Sequence, residues 1–285
     1  YQLAEKLRSD FPEIKDVARI SALGRANIST LENTNVFYED FWVANPGFLT
    51  TFDFKLLKGD RYSALSAPHS VIVTEETAKK LFGTTDVIGK SINADRDSVP
   101  CTITGVLKDF PVNSHISFNL CFSETSMADA GYQQFVRTDW NTSFYSTYAL
   151  VDIRANLGRV ENRMGQVVKS NQSRDFTGKR IFILQPLKDV HFYSSDIEGN
   201  LGGTGSITYV YVFSVIGFLV LLIACINYMN LTTARFANRA KEIAVRKVAG
   251  ASRKNLTSQF FAEAFLVTII ALLFALILVK VFLPS

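Results

Sequence analysis

The sequence predicts an α+β extracytoplasmic domain followed by transmembrane α-helices, and three observations support this fold class. Two apolar runs, 210–229 and 264–283, each extend over 20 residues, and Lys280 is the one charge in them. A helix of that length covers about 30 Å, the thickness of the hydrocarbon core of a bilayer. Helix and strand patterns alternate before these runs, and basic residues concentrate between them. The alternative is that the two runs form core helices of a large soluble protein. Their position, one after the other at the end of a polar chain, disfavours that alternative.

Three amphipathic helices are predicted before the apolar runs. The first begins near the N-terminus and ends at Pro12, which cannot continue a helix. The second follows Thr74, whose hydroxyl suits an N-cap, and ends at Gly83, which tolerates a left-handed backbone. The third covers 156–171. Its apolar positions fall on one side at helical spacing: Leu157, Val160, Met164, Val167 and Val168.

Strand patterns alternate with these helices. Runs in which apolar and polar residues alternate, or which are rich in β-branched residues, predict strands where turn residues bound them. They occupy 41–44, 70–73, 101–110, 116–123, 143–153 and 180–192. A glycine-rich stretch, 199–205, then precedes the first apolar run, and we interpret it as a flexible junction. The predicted domains are therefore 1–205, outside the membrane, and 206–285, with spans at about 207–231 and 261–283.

The distribution of charge predicts the orientation. Residues 207–285 carry eight Lys and Arg against two Asp and Glu, and seven of those eight lie between the two spans. An excess of Lys and Arg in a short loop places that loop in the cytoplasm. The loop 232–258 is therefore predicted to be cytoplasmic, with residues 1–206 outside the inner (plasma) membrane of the cell. Because an outer domain must be exported, we expect a further spanning helix to precede it in the full-length protein.

Several other classes of site are disfavoured. Residues 1–206 carry 22 Lys and Arg against 24 Asp and Glu, so the folded domain lacks the basic face that nucleic-acid binding requires. The stretch 83–91 resembles a phosphate-binding loop, but five residues rather than four separate its glycines, and it follows a helix. The three histidines lack metal-ligand spacing. No catalytic constellation is found, so neither enzymatic activity nor a bound cofactor is expected.

The cysteines leave two possibilities open. Cys225 lies in the first span, whereas Cys101 and Cys121 lie in the predicted outer domain. A disulfide between the latter two is compatible with an extracytoplasmic location, and two separate buried thiols are equally compatible.

The loop between the spans is the most informative segment. Residues 234–249 lack Pro and Gly and are rich in Ala, Arg and Lys, which predicts a helix. Gly250 suits its C-terminal stop, and Ser252 suits the N-cap of the next helix. An apolar stripe at helical spacing comprises Phe236, Ala240, Ile243, Ala244 and Val248. A charged face comprises Arg235, Arg239, Glu242 and Arg246, in which the Glu can pair with either of the last two Arg.

Composition alone leaves two interpretations of this helix open. A basic amphipathic helix can lie on anionic lipid. Since both of its ends are tied to spanning helices, it can also pass force from a cytoplasmic partner to the membrane.

The motifs resemble those of a known family. The run RAKEIAVRKVAGASR at 239–253, followed by Gln259, Phe260 and Glu263, resembles the signature of MacB/FtsX-type permeases of ABC transporters. Further segments are similar to the same family: SVIVTEETAKKLFG, VIGKSI, ITGVLKDFPVNSHISFN, LQPLKDVHFYS and IACINYMNLTTAR. The resemblance extends from about Phe48 to Glu263, and the first forty or so residues match weakly. It implies that 1–205 is a MacB-like periplasmic core domain and 206–285 part of an FtsX-like permease domain.

The resemblance also implies a role for the basic helix. In the family it is the coupling helix, here about 234–249, which docks on an ATP-hydrolysing ABC subunit. The residues implicated are Arg235, Arg239, Glu242, Ile243, Arg246, Lys247, Gly250 and Ala251. The partner would bind ATP, and this chain would need no cofactor. A permease dimer and a periplasmic adaptor or effector are further partners that the resemblance suggests.

Three functions follow as expectations. The first is a permease subunit that exports or extracts peptides, lipoproteins or toxic compounds by moving its outer domain. The second is a mechanotransmission regulator of a cell-wall hydrolase or a sensor kinase, without transport. The third, a membrane-anchored sensor without an ATPase, fits the basic helix less well.

Overall fold

The structure is a computed structural model of the chain. It describes residues 1–31, 35–94, 97–126, 140, 144–171, 181–195, 197, 201, 205–234, 236–250 and 252–283. Its internal contacts divide the chain into two units, an N-terminal domain, Tyr1–Ile207, and a C-terminal unit, Thr208–Ser285.

The N-terminal domain combines strands and helices, as predicted. Its helices are α1 (Gln2–Asp10), α2 (Gly47–Thr51), α3 (Glu75–Phe82), α4 (Leu157–Asn171) and α5 (Val190–Tyr193). Its strands are β1 (Ile14–Thr30), β2 (Val36–Ala44), β3 (Leu56–Gly59), β4 (Ser70–Thr74), β5 (Ser91–Ala94), β6 (Asp97–Leu107), β7 (Leu120–Ser123) and β8 (Ser146–Val151). Short 3₁₀ turns cover Glu124–Ser126 and Leu187–Asp189.

The eight strands form one mixed sheet in the order β2-β7-β4-β6-β5-β1-β8, with β3 paired to β6. The 17-residue β1 pairs with β8 through its first half and with both β2 and β5 through its second half. Because β1 also reaches β2, six strands close into a ring. Gly24, at φ 99°, sits where the β1–β2 register shifts, a position that requires a left-handed backbone.

The central strands are buried on both faces, which produces two cores. In β4, Val71 and Val73 join a first core that also contains Ala78 and Leu81 of α3. Ile72, between them, joins a second core dominated by aromatic rings. A third, smaller core packs α1 and α4 against the start of β1. Full burial of one such aliphatic or aromatic side chain stabilises a fold by about 1.5–3 kcal/mol.

The structure confirms the local signals around α3. The Thr74 hydroxyl accepts a hydrogen bond from the backbone N–H of Thr77 at 3.3 Å, as an N-cap does. Gly83 ends the helix in the left-handed conformation, at φ 70°. The stretch 83–91 is therefore a helix stop that leads into β5, as predicted.

The predicted strands differ from the structure in several places. No strand was predicted over β1, the longest strand, or over β3. The strand predicted at 180–192 is wrong: residues 181–186 belong to no strand, and the 3₁₀ turn and α5 follow them. Phe182 and Leu184 still pack against the third core, whereas Ile181 and Ile183 are exposed. The alternation in this segment thus reflects a buried side rather than pairing in a sheet.

Both cysteines of the N-terminal domain are buried, and neither forms a disulfide. Cys101 belongs to the first core and Cys121 to the second, so the strands separate them. Of the two possibilities that the sequence left open, the structure therefore favours separate thiols. The predicted junction at 199–205 lies outside the described residues except for Leu201 and Gly205.

The C-terminal unit consists of helices. They are α6 (Ile207–Ala234), which begins at the last residue of the N-terminal domain, α7 (Phe236–Val248) and α8 (Arg253–Phe282). All of α6 and the Thr257–Phe282 part of α8 are long and apolar enough to cross a membrane, with mean hydropathies of 2.7 and 2.9. The side chains in these two stretches are exposed rather than buried in a protein core. Length, composition and exposure together favour two spanning helices over core helices.

Candidate functional site

The helix α7 is the candidate site. It covers Phe236–Val248, within the predicted 234–249, and connects α6 to α8. It ends as the sequence predicts, at Gly250, whose φ of 93° lies in the left-handed region. The N–H of Gly250 donates to the carbonyl oxygen of Lys247 at 3.1 Å, and that of Ala249 to Val245 at 3.1 Å. These bonds satisfy carbonyls that the end of the helix would otherwise leave without partners.

One side of α7 is partly covered. Ala240, Ile243 and Arg246 are half-buried, and they follow one another at a spacing of three residues. Ala244 and Val248, which the sequence placed on the same apolar stripe, are exposed, Val248 to 91%. Only part of the predicted stripe is therefore buried. Helical periodicity shows which residues share one side of the helix, but it does not show what packs against that side.

A hydrogen bond fixes the end of α7 to the following helix. The Nη1 of Arg246 donates to the Oε1 of Gln259, at 3.0 Å. Gln259 is one of the residues on which the family resemblance rests, and no role was predicted for it. The family motif contains both Arg246 and Gln259 and could have suggested this contact. The periodicity within α7 could not, because Gln259 lies in the next helix. Arg246 thus contributes to the arrangement of α7 on α8 as well as to the charge of the helix.

The structure describes some of the other predicted site residues fully, some only by their backbone, and some not at all. Lys247 is exposed and Ile243 half-buried. Arg239 and Glu242 lie within α7, but nothing of their side chains is described, so their predicted pairing stays a prediction. Arg235 and Ala251 lie outside the described residues.

The exposed side of α7 carries a further apolar residue, Val245, which lies outside the predicted apolar stripe. Val245 is 66% exposed and, like Val248 three residues later, presents its side chain to solvent. Lys241 and Lys247 are exposed as well. A surface that combines apolar contacts with several cations suits an acidic partner with an apolar groove, since binding energy comes from the buried apolar anchors and charge provides the steering. In the described part of the chain, no group of three His, Cys, Asp or Glu side chains is placed to bind a metal ion.

Family models match both units of the chain. The model of the MacB-like periplasmic core domain matches residues 1–167, more than half of the chain, and that of the FtsX-like permease C-terminal domain matches residues 214–285. The first match begins at residue 1, well before the motifs from which the resemblance was argued. The second covers α7, α8 and most of α6.

Curated relatives agree with these matches. The chain is 24% identical over 273 residues to the uncharacterized ABC transporter permease YknZ of Bacillus subtilis, covering 90% of this chain and 62% of that protein. It is 24% identical over 262 residues to the macrolide export ATP-binding/permease protein MacB of Escherichia coli, covering 91% of this chain and 36% of that protein. The chain therefore spans less than two thirds of either relative.

A solved structure shares the fold of the N-terminal domain. It is a domain described as belonging to a permease protein of Porphyromonas gingivalis, with a TM-score of 0.53 and 21% sequence identity. The similarity covers 66% of this chain and 86% of the solved chain. It supports the α+β fold of the extracytoplasmic domain.

Proposed function

This chain belongs to the MacB/FtsX-type family of ABC transporter permeases, and from that premise we propose that it couples ATP hydrolysis on a partner ATPase to motion of an extracytoplasmic domain. The observation that carries the proposal is α7, a short basic helix with exposed Val245 and Val248 between two long apolar helices. ATP is bound and hydrolysed by the partner. The chain itself performs no bond-making chemistry.

The proposed topology follows from charge. Residues 1–206 lie outside the inner membrane, α6 and α8 cross it, and the loop 232–258, which contains α7, lies in the cytoplasm. Val112, at the surface of the N-terminal domain, and Ser252, next to α7, are exposed and provide reporters. We expect a membrane-impermeant thiol reagent, applied to intact cells, to label Val112→Cys and not Ser252→Cys. Labelling of Ser252→Cys in intact cells would refute the topology.

The proposed mechanism is mechanical. Closure of the ATPase dimer would push on α7, and the bond between Arg246 and Gln259 would carry the displacement into α8. Gly250 stops α7 with a fixed turn, so displacement of α7 would not be lost in a long flexible linker. Two copies of the permease would face the two ATPase subunits.

The docking claim can be tested in the full-length protein by replacing Arg239, Glu242 and Arg246 together with Ala. We expect the triple variant to lose co-purification with the ATPase and stimulation of ATP hydrolysis. A matched control replaces two Arg and one Glu on the surface of the N-terminal domain, namely Arg154, Arg159 and Glu76. Wild-type co-purification and stimulation in the α7 variant would refute the coupling role.

The Gln259→Ala variant separates docking from transmission. It leaves the exposed surface of α7 intact but removes the acceptor of the Arg246 hydrogen bond. We expect the ATPase still to co-purify with this variant, while the transport-dependent phenotype weakens.

We propose export or extraction of peptides, lipoproteins or toxic compounds as the work that this motion performs, with a periplasmic adaptor or effector as a further partner. Similarity to a protein named for macrolide export supports transport. A compound that accumulates in a deletion strain would support it further. If cross-linking through the extracytoplasmic domain recovers a cell-wall hydrolase or a sensor kinase, and no compound accumulates, the chain is a mechanotransmission regulator instead.

A further inference from the structure

A short segment of the N-terminal domain exposes several large apolar side chains. It covers residues 187–197 and includes α5. Single exposed apolar residues are common on protein surfaces, whereas several in one short segment indicate an interaction site. The exposed side chains are Leu187 (50%), Phe192 (37%), Tyr193 (59%) and Ile197 (56%). Three of them belong to LQPLKDVHFYS, a segment on which the family resemblance rests, and the proposed coupling function uses none of them.

Hydrogen bonds from one side chain hold this segment in its conformation. The Nε2 of Gln185 donates to the carbonyl oxygens of Asp189 and Tyr193, at 3.4 and 3.3 Å. The Oε1 of Gln185 accepts a hydrogen bond from the Oγ of Ser194, at 3.0 Å. Ser194 is buried, so the segment is attached to the domain on that side. The exposed rings are therefore part of a hydrogen-bonded turn that keeps them at the surface.

The segment lies beside the residues that lead into the first apolar helix. The N–H of Gly205 donates to the carbonyl oxygen of His191 at 2.9 Å. A Cβ on residue 205 would be 3.5 Å from the Cε1 of Phe192, so the ring of Phe192 lies next to Gly205. Since α6 begins at Ile207, two residues further on, Gly205 is at most about 7 Å from its first residue. The exposed segment is therefore close to the point where α6 begins.

The start of α6 lies among lipid headgroups if α6 crosses the membrane as proposed. The apolar run begins at Val210, and a helix rises about 1.5 Å per residue, so Ile207 lies about 5 Å outside the hydrocarbon. The headgroup layer of each leaflet is about 5–8 Å thick. Tyrosine favours this layer, because its ring is apolar and its hydroxyl is polar. Tyr209 and Tyr211, in the first turns of α6, are 66% and 65% exposed and have the same chemistry.

We propose that residues 187–197 are a membrane anchor, in which Leu187, Phe192 and Tyr193 insert among the headgroups of the outer leaflet. The rings leave water there, while the tyrosine hydroxyl stays among polar groups. Lys188 is exposed beside them, and its long side chain allows its ammonium to reach a lipid phosphate. Lipid is the partner because the bilayer that holds α6 begins within a few residues of Gly205. The anchor holds this end of the domain at the membrane surface.

Tryptophan fluorescence in lipid nanodiscs tests the anchor. The Tyr193→Trp variant of the full-length protein is reconstituted in phosphatidylcholine that is either unmodified or brominated on the acyl carbons nearest the headgroups. Subtracting the emission of the parent protein gives the emission of the added tryptophan. We expect brominated lipid to quench the greater part of this emission, and acrylamide in the water to quench little of it.

Tyr38→Trp is the matched control, because Tyr38 of β2 is also 59% exposed. We expect acrylamide to quench its emission and brominated lipid to leave it unchanged. Equal quenching of Tyr193→Trp and Tyr38→Trp by brominated lipid would overturn the anchor. Quenching of Tyr193→Trp by acrylamide alone would overturn it as well, and would leave the exposed segment to a protein partner. If Tyr193→Trp does not fold, Leu187→Trp serves instead, with the same expectations.

The anchor rests on the proposed crossing of the membrane by α6 and is independent of ATPase docking. Tyr209→Trp, in the first turn of α6, separates the two claims. If brominated lipid quenches Tyr209→Trp but not Tyr193→Trp, α6 enters the membrane as proposed and the anchor alone is wrong. If it quenches neither, the proposed topology fails together with the anchor.

Discussion

The guanidinium of Arg19 and the carboxylate of Glu124 form a two-point ion pair inside the N-terminal domain, with 3% and 8% of the two side chains exposed. The Nε of Arg19 lies 3.1 Å from the Oε2 of Glu124. Glu5 of α1 accepts a further hydrogen bond from the same guanidinium, and the ring of Tyr1 lies 3.9 Å from its central carbon. One side chain in β1 thus connects the N-terminal helix to the residue that follows β7.

Replacing Arg19 by Met should destabilise the domain strongly. The pair itself has a small net stability, because desolvation of two charges offsets their attraction, but removal of Arg19 takes the guanidinium away from a carboxylate that stays buried. We expect the free energy of unfolding to fall by about 3–5 kcal/mol, measured by denaturant titration and the fluorescence of Trp42, which is 5% exposed. Arg25→Met is the control. Arg25 pairs with Asp40 at the surface, and its loss should cost at most about 1 kcal/mol. Equal effects would contradict the assigned burial of the first pair.

Two glycines should respond to alanine with opposite signs. A Cβ on Gly47 would lie 2.2 Å from the carbonyl oxygen of Val17, so Gly47→Ala must displace α2 from β1 and should lower the melting temperature. Gly165 lies inside α4 with nothing within 4 Å of its potential Cβ. Gly165→Ala should therefore stabilise the domain by about 0.5–1 kcal/mol, because alanine loses less backbone entropy in a helix. A stabilising Gly47→Ala would show that α2 does not pack as described.

Cysteine chemistry should distinguish free thiols from a disulfide. Burial raises the pKa of Cys121, which keeps its thiol protonated, and Cys101 is buried as well. We expect both to react slowly with iodoacetamide in the folded protein and both to react fully after unfolding without a reductant. If Cys101 and Cys121 react in the unfolded protein only after a reductant is added, they form a disulfide. That result would contradict the location of the two thiols in separate cores.

The exposed valines of α7 should matter for the ATPase and not for stability. Val245→Glu and Val248→Glu place carboxylates on side chains that are 66% and 91% exposed, so the melting temperature should change little. If α7 docks as proposed, each should weaken ATPase stimulation by about tenfold or more, since a charge would be buried at the interface. Val112→Glu, at a fully exposed position of the N-terminal domain, is the control for the added charge. Normal stimulation in both α7 variants would indicate that this side of the helix makes no contact.

The features that could be predicted from the sequence are those determined by residues close together along the chain. Thr74 and Gly83 bound α3 because a cap and a stop act within one helical turn. The two apolar helices were predictable from length and hydropathy. Gly250 ends α7 for the same local reason as Gly83.

Features that depend on distant partners escaped prediction. No strand was predicted over β1 because its pattern is mixed. Buried positions alternate with exposed ones near its C-terminal end, while its middle is buried without interruption. Its pairing with three strands is a tertiary property. The alternation at 181–184 indicated a strand, but residues 181–186 pair with none of the strands that the structure describes. In the candidate site, the stripe that contains Ile243 and Val248 could be predicted from periodicity. The half-burial of Ile243 and the 91% exposure of Val248 could not, because they depend on tertiary packing.

The pairing of β1 has a consequence for the order in which the domain can form. Ile14 lies opposite Val151, near the far end of the sheet-forming sequence, and Ile28 lies opposite both Phe37 and Ala94. Contacts between residues so distant in the chain form slowly, since a long loop must close before they do. During synthesis and export, β1 can associate early with β2, but its first half must wait until β8 has emerged. Until then an unpaired, apolar strand is open to the wrong partners. Newly synthesised chains should therefore depend on chaperones over the interval between the appearance of Ile28 and that of Val151.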